Sequence, residues 1–438
     1  MAIAATYVSG TSFTMSGDRT AEFAAGVRVR ADCGADGTVL GTVTAATYAD
    51  PSTTVTVAPD SGALTANLAG VEHGNDVPAS LCGHAAQHAP GGRDPVPPAV
   101  PGLFGRDIRF AAKTVAAATD RYTLLSPNRM AVDVEGTILT LAEQASLDLS
   151  ASATWDGASP DYTVAANRAG KDFSVYACND SGALKLLVSA NATTPTGYTA
   201  ATSRRIAGFH CLCAAVGTIS GHPLTGYAAG DILPASVWDL KHRPACEPEG
   251  MTFVAGVGTW VDIYLASVSG GELVSASGGT IADGTSSPAF HWYKFSQWFG
   301  AVGKRLPTQH EFVAASLGAN QGTNIAGSAD PGTTGGHTDT AGRRMLSNVG
   351  CEDCCGVLFQ WGAEAGGGAS SAAWANAYDA NDSGVAGQQY LAPNRAVLGG
   401  RYDGGAICGS RAAGWHMTPL SLNSGVAARG VAGHIGGV

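Results

Sequence analysis

Residues 398–402 read Leu-Gly-Gly-Arg-Tyr, residues 409–419 read Gly-Ser-Arg-Ala-Ala-Gly-Trp-His-Met-Thr-Pro, and residues 428–434 read Ala-Arg-Gly-Val-Ala-Gly-His. Punctuating Gly, Arg, Trp and Pro alternate here with positions whose side chains follow no hydrophobic period. A core strand would impose a period of 2 and a core helix one of 3.6. The tract matches neither, which predicts a surface where a scaffold displays side chains. Display implies binding.

Working outward, the rest of the chain is weighted toward strands. Hydrophobic residues make up 45% of the 438 residues, ample for packed domains, and the length predicts about two to four of them. Glycine, at 60 residues, is about twice its usual share, while charged residues, at 14%, fall well below the usual quarter. With frequent Thr, Val and Ser, this favours many short strands joined by tight turns. The net charge of −10 and the scattering of Lys and Arg argue against nucleic acid as a partner, because counterion release needs clustered cations.

No apolar run approaches the roughly 18 residues of a membrane span, so membrane insertion is not expected. The opening Met1-Ala-Ile-Ala-Ala-Thr-Tyr7 lacks the basic and apolar regions of a secretory leader. Ten cysteines are spread irregularly from Cys33 to Cys408. That spacing does not suggest a disulfide framework, and buried thiols made in a reducing cytoplasm are expected.

Residues 1–87 predict a β domain: Val27-Arg-Val-Arg30 and Thr54-Val-Thr-Val57 alternate, and Asp36-Gly37 and Ser61-Gly62 punctuate them. Residues 88–102 form a Pro-rich linker, with five prolines and two glycines between His88 and Pro101. Residues 103–235 again read as strands, with Phe173–Ala177 and Lys185–Val188 flanking an Asn-Asp-Ser-Gly turn, as in a β-sandwich-like domain. Residues 236–438 change character. Trp260–Leu265 predicts a strand, Phe290–Ala301 a helix ending before Gly303, and Thr308-Gln-His-Glu311 a capping box opening a second helix that stops near Gly318. The fold class is therefore multidomain, with β-rich N-terminal and middle domains and a C-terminal α+β domain carrying long loops.

Catalytic signatures fail on inspection. His310-Glu-Phe-Val-Ala314 lacks the second histidine of a zinc-protease helix. Gly300-Ala-Val-Gly-Lys304 lacks the spacing of a phosphate-binding loop, and no GxSxG is present. Cys351-Glu-Asp-Cys-Cys355 has no second metal-ligating pair in sequence. Glu352, Asp353 and Glu364 supply the oxygen ligands a structural calcium takes, although a polar loop beside a buried tryptophan is the plainer reading. Neither a catalytic residue nor a cofactor is assigned.

Several motifs in order identify a family. They are Pro195-Thr-Gly-Tyr-Thr199 with Gly208-Phe-His210, Trp238-Asp-Leu-Lys-His-Arg-Pro244, Gly250-Met-Thr-Phe-Val-Ala-Gly256 with Asp262–Leu265, and Gly303-Lys-Arg-Leu-Pro307 with Glu311-Phe312. Trp361-Gly362 with Glu364, Gly399-Gly400, Gly409-Ser-Arg-Ala-Ala413, Trp415, Pro419 and Ala428-Arg-Gly-Val431 complete the set. Over more than half its length the chain resembles the major tropism determinants, phage receptor-binding proteins diversified by a retroelement. The N-terminal segment looks, more loosely, like modules of phage tail proteins.

The resemblance implies a C-type lectin fold over 236–438, with a variable region at about 398–434. It also implies a homotrimer on a virion tail, made in the host cytoplasm, that joins other tail components and binds a host-surface receptor, protein or glycan. The variable positions it implies are Arg401, Asp403, Gly404, Gly405, Ile407, Gly414, His416, Met417, Ser421, Asn423, Gly425 and Val426. In the family these arise by adenine-directed mutagenesis of AAC codons. All but Met417 are encodable by a codon ending in C, so Met417 marks a fixed residue or a register shift. Tyr402, Ser410, Arg411, Trp415 and Arg429 would be scaffold.

Two other readings stand beside this one. A structural tail protein without diversification shares the same architecture. Formylglycine-generating enzymes resemble the chain at Gly303–Thr308 and at the Gly-Gly-x-Tyr turn of 399–402. Their chemistry relies on a pair of cysteines in the C-terminal segment, where this chain has Cys408 alone.

Overall fold

The computed structural model describes residues 3–73, 109–369, 374–376 and 388–435; the Pro-rich segment 88–102 lies outside them. The chain divides into two compact units, Met1–Pro101 and Gly102–Val438. Both are rich in strands and poor in helices. No helix among the described residues is long and apolar enough to cross a membrane.

In the first unit, six strands form one antiparallel sheet in the order Thr6–Ser9, Ser12–Ser16, Ser52–Pro59, Thr38–Ala49, Arg28–Asp32, Gly70–His73. The alternation read from the sequence is the alternation of burial. Phe13, Met15, Val29, Ala31, Val55 and Val57 face one core while their chain neighbours are more exposed, as a half-covered antiparallel sheet requires.

In the second unit, Asp172–Asp180 and Ala183–Ser189 pair across the expected turn, and Ser203–His210 joins the other side of Asp172–Asp180. Trp155, Tyr162, Phe173 and Phe209 pack in one core, the Trp155 and Phe173 rings meeting edge to face at 5.0 Å. The sheet runs a few residues past the expected boundary at 235/236. Trp238–Asp239 completes this sheet by pairing with Ala207 and Gly208. A side chain on Gly208 would press on the Trp238 ring at 2.6 Å, so the glycine is what lets the tryptophan lie across the sheet. Beyond it, His210 bridges Asp172 (3.0 Å) and the Tyr264 hydroxyl (2.9 Å).

The two helices of the C-terminal region follow their local signals. Trp292–Ala301 is capped by the His291 side chain and ends before Gly303, whose φ is 73°. Gln309–Ala315 begins at the capping box of Thr308 and Glu311. Trp260–Leu265 is a strand only over Thr259–Asp262. That strand pairs with Met251–Val254 on one side and with the C-terminal strand Val431–Ile435 on the other.

Candidate functional site

Glycines and one arginine set the frame of the C-terminal tract. Gly399 and Gly400, with φ of 88° and 84°, follow the strand Pro393–Leu398. A Cβ on Gly399 would run into the Cys354 carbonyl and the Phe312 ring, and one on Gly400 would lie 2.7 Å from the Cys408 sulfur. Both positions therefore require glycine. The loop they open is closed at its base, where the Gly399 N–H donates to the Ala412 carbonyl at 2.9 Å and the Gly409 N–H donates back to the Gly399 carbonyl at 3.2 Å. Ala413–Met417 then pairs with Pro393–Leu398 through a bulge. It forms the outer strand of a sheet continued by Phe359–Ala369 and Val426–Ala427.

Arg429, 1% exposed, fastens the far end. Its guanidinium donates to the Gln360 side chain (3.1 Å) and to the carbonyls of Asp262 (2.5 Å), Ile263 (2.6 Å) and Glu352. The next residue, Gly430, donates its N–H to Asp262 at 2.9 Å. The other Asp262 oxygen takes Lys304 at 2.6 Å in a buried ion pair. Burial opposes the Lys304 charge, and Asp262 more than offsets it, so this lysine titrates above its ordinary range. Next to it, Arg305 grips Glu311 through both carboxylate oxygens (2.5 and 2.8 Å). Burial raises the Glu311 pKa, but Arg305 and the Thr308 N–H outweigh it and bring it down to about 2.

The outward groups sit on this frame. Arg401 and Asp403 form a bidentate pair at 2.5 and 2.7 Å on the exposed side of the loop. The Arg401 hydrogen bond lowers the Asp403 pKa and Asp403 raises that of Arg401. A turn at Gly405–Ile407 leaves Ile407 67% exposed. A second loop, 418–425, rests on the segment before the helix Trp292–Ala301. Gly284 and Trp292 donate to the carbonyls of Asn423 (3.2 Å) and Pro419 (3.1 Å). The loops converge at Gly425, where a Cβ would lie 3.1 Å from both the Arg401 side chain and the Asn423 amide oxygen.

Residues 123–239 match the family model described as Mtd second domain. The chain is 36% identical over 294 residues to the tail fiber receptor-binding protein of Bordetella phage BPP-1, covering 62% of this chain and 74% of that relative. The solved Major Tropism Determinant U1 and P3c variants each superpose with a TM-score of 0.61 at 30% identity, over 76% of this chain and 86% of theirs. The chain belongs to the major tropism determinant family.

Most of the positions expected to vary in a major tropism determinant lie where side chains reach solvent. Arg401, Asp403, Gly405 and Ile407 share one loop, Ser421 and Asn423 the neighbouring one, and Gly414 and His416 the outer strand; Gly404 lies in the first loop, but a Cβ there would meet the Cys408 sulfur at 2.6 Å. Met417 is half-buried against the core that holds Phe295 and Trp361. Two positions are corrected. Val426 is 3% exposed and pairs in parallel with Phe359, inside the core of Trp361 and Val397. Gly425 is buried, with its carbonyl accepting from the Phe359 N–H at 3.0 Å, and a Cβ there would press on the Arg401 and Asn423 side chains.

The scaffold positions divide similarly. Ser410 is held by Gln321 through its N–H (3.1 Å) and hydroxyl (3.3 Å). Trp415 lies over Gly366, where a Cβ would meet its ring at 2.8 Å. Asn324 donates to the Tyr402 carbonyl. Arg411 is corrected: it is exposed and has no hydrogen-bond partner among the described residues, so it supports no loop. The aperiodic reading of the tract is corrected in part, because Ala413–Met417 and Val431–Ile435 are strands. In the first, a bulge and an open edge hide the alternation.

The carboxylates considered for calcium have other partners. Glu352 pairs with Arg344 (2.6 Å), Asp353 with His337 (3.0 Å), and Glu364 accepts from the Gln309 N–H (2.6 Å). Cys351, Cys354 and Cys355 lie in a core with Val254, Val261 and Val431, and burial pushes Cys355 up to about 12. Among the described residues no group of three metal-ligating side chains stands together. Gln321, Gly284 and Gln360 were absent from the sequence reading. Their roles come from distant pairings that leave no local signal.

Proposed function

We propose that this chain is the receptor-binding protein of a phage tail, holding a set of exchangeable side chains against a receptor on the host surface. The relative in Bordetella phage BPP-1 is named as a tail fiber receptor-binding protein, which supports the same place for this chain on the virion. One observation carries the reading: main-chain hydrogen bonds, glycines and the buried Arg429 hold the two loops, while Arg401, Asp403, Ile407 and His416 contribute little to the core. Such a frame limits the entropy lost on binding.

The C-terminal region is read as a C-type lectin-type domain, in keeping with two short helices beside a small sheet and long loops. Diversification by a retroelement at the codons of 401–423, no resident cofactor, and no catalytic activity complete the proposal. The enzyme alternative needs a second thiol beside Cys408, and that sulfur, raised by burial, instead donates to the Arg401 carbonyl at 3.3 Å. The display surface holds no aromatic residue among its variable positions, so a single site binds weakly and a homotrimer raises avidity through effective concentration. The test is competition. Purified protein, added to the bacterium the phage infects, is expected to block adsorption of that phage. Undiminished adsorption at saturating protein contradicts the proposal.

A further inference from the structure

A cavity adjoins the display loop. It holds about 600 Å³, within the range of small-ligand sites, and lies between residues 219–222 and the chain that follows the helix Gln309–Ala315. Its charged residues are already committed. Asp339 accepts from the N–H groups of Ala341 and Arg343 (2.9 Å each) and from the Thr323 hydroxyl (2.7 Å), while Arg343 donates to the carbonyls of Arg344 and Gly318. Burial lowers the pKa of His222. What stays free is uncharged. The Asn348 amide and the Ser220 hydroxyl line the cavity with no hydrogen-bond partner among the described residues, and Leu317, 64% exposed, supplies an apolar rim.

The cavity wall is also the buttress of the display loop. Gln321 lines the cavity and holds Ser410, and the Gly322 N–H donates to the Cys408 carbonyl at 2.7 Å. A ligand here would sit beside the variable side chains without depending on which ones are present.

We propose that this cavity is a constant subsite for a neutral saccharide, a hexose unit held by Asn348 and Ser220 with its apolar face on Leu317, next to the variable surface. Free amide and hydroxyl groups beside an apolar rim, with no uncommitted charge, suit a polyhydroxylated uncharged ligand better than an anion. Lacking an aromatic platform, the site binds one sugar in about the millimolar range. That the sugar belongs to the host envelope rests on the receptor-binding reading; the subsite itself does not.

The test is saturation-transfer NMR on the full-length chain with D-glucose, D-galactose and N-acetyl-D-glucosamine, each at millimolar concentration. Saturation transfer to at least one sugar is expected, reduced severalfold in Asn348→Ala and in Ser220→Trp, which fills the mouth from an exposed position. It should persist in Arg401→Ala/Asp403→Ala, which separates this subsite from the display loops. No transfer to any sugar, or transfer unchanged in both cavity variants, overturns the proposal.

Discussion

Arg429 and Arg401 are 28 positions apart in the sequence (429 − 401) and are used in opposite ways. Arg429 is buried and its donors end on three main-chain carbonyls and one side-chain amide, so it ties together segments near residues 262, 352 and 360. Arg401 lies at the surface and is paired with Asp403 two residues away. Removing the first leaves buried acceptors without partners; removing the second leaves groups that water can satisfy. The contrast between a frame that must not change and a surface that can is the physical content of the fold.

The largest effect tests the frame. Arg429→Met is expected to destabilise by about 3–5 kcal/mol, because it strands three buried carbonyls and the Gln360 amide oxygen together. Denaturant unfolding measures it, and a loss below about 1 kcal/mol would break the distinction. Gly399→Ala comes next. A left-handed φ and a collision with the Cys354 carbonyl should cost about 1–3 kcal/mol, read as a lowered unfolding midpoint.

Glu311 sharpens the comparison through pH. Its carboxyl, brought down to about 2 in the folded state, binds fewer protons than the same group in the unfolded chain near its ordinary 4.5. The stabilisation is therefore complete above about pH 4.5 and is lost as pH falls through about 2. Thermal midpoints between pH 5 and pH 2.5 should fall more steeply in the native chain than in Glu311→Gln. Parallel curves would show that the Arg305 grip contributes nothing. The smallest effect is predicted at the surface, where Asp403→Ala should shift stability by less than about 0.5 kcal/mol, as exposed ion pairs do.

What the sequence revealed follows the same division. The capping box at Thr308 and Glu311 and the stop at Gly303 were legible because helix ends are written in neighbouring residues. So was the alternation of Val29 and Val55. The place of Trp238 in a sheet whose other strands begin at Asp172 was not, because that pairing spans 66 residues (238 − 172). Val426 looked displayable for a similar reason: only its parallel pairing with Phe359 shows that it is core. Arg411 and Arg429 look alike in sequence, and long-range pairing alone decides that one supports the frame and the other does not.

The central claim is that recognition and stability are carried by different side chains. It is tested most directly by replacing Arg401, Asp403, Ile407 and His416 together with alanine, then measuring the thermal midpoint alongside adsorption to the host bacterium. The account predicts a midpoint within a few degrees of the native chain and adsorption lost. A collapsed midpoint, or adsorption at the native level, would contradict it.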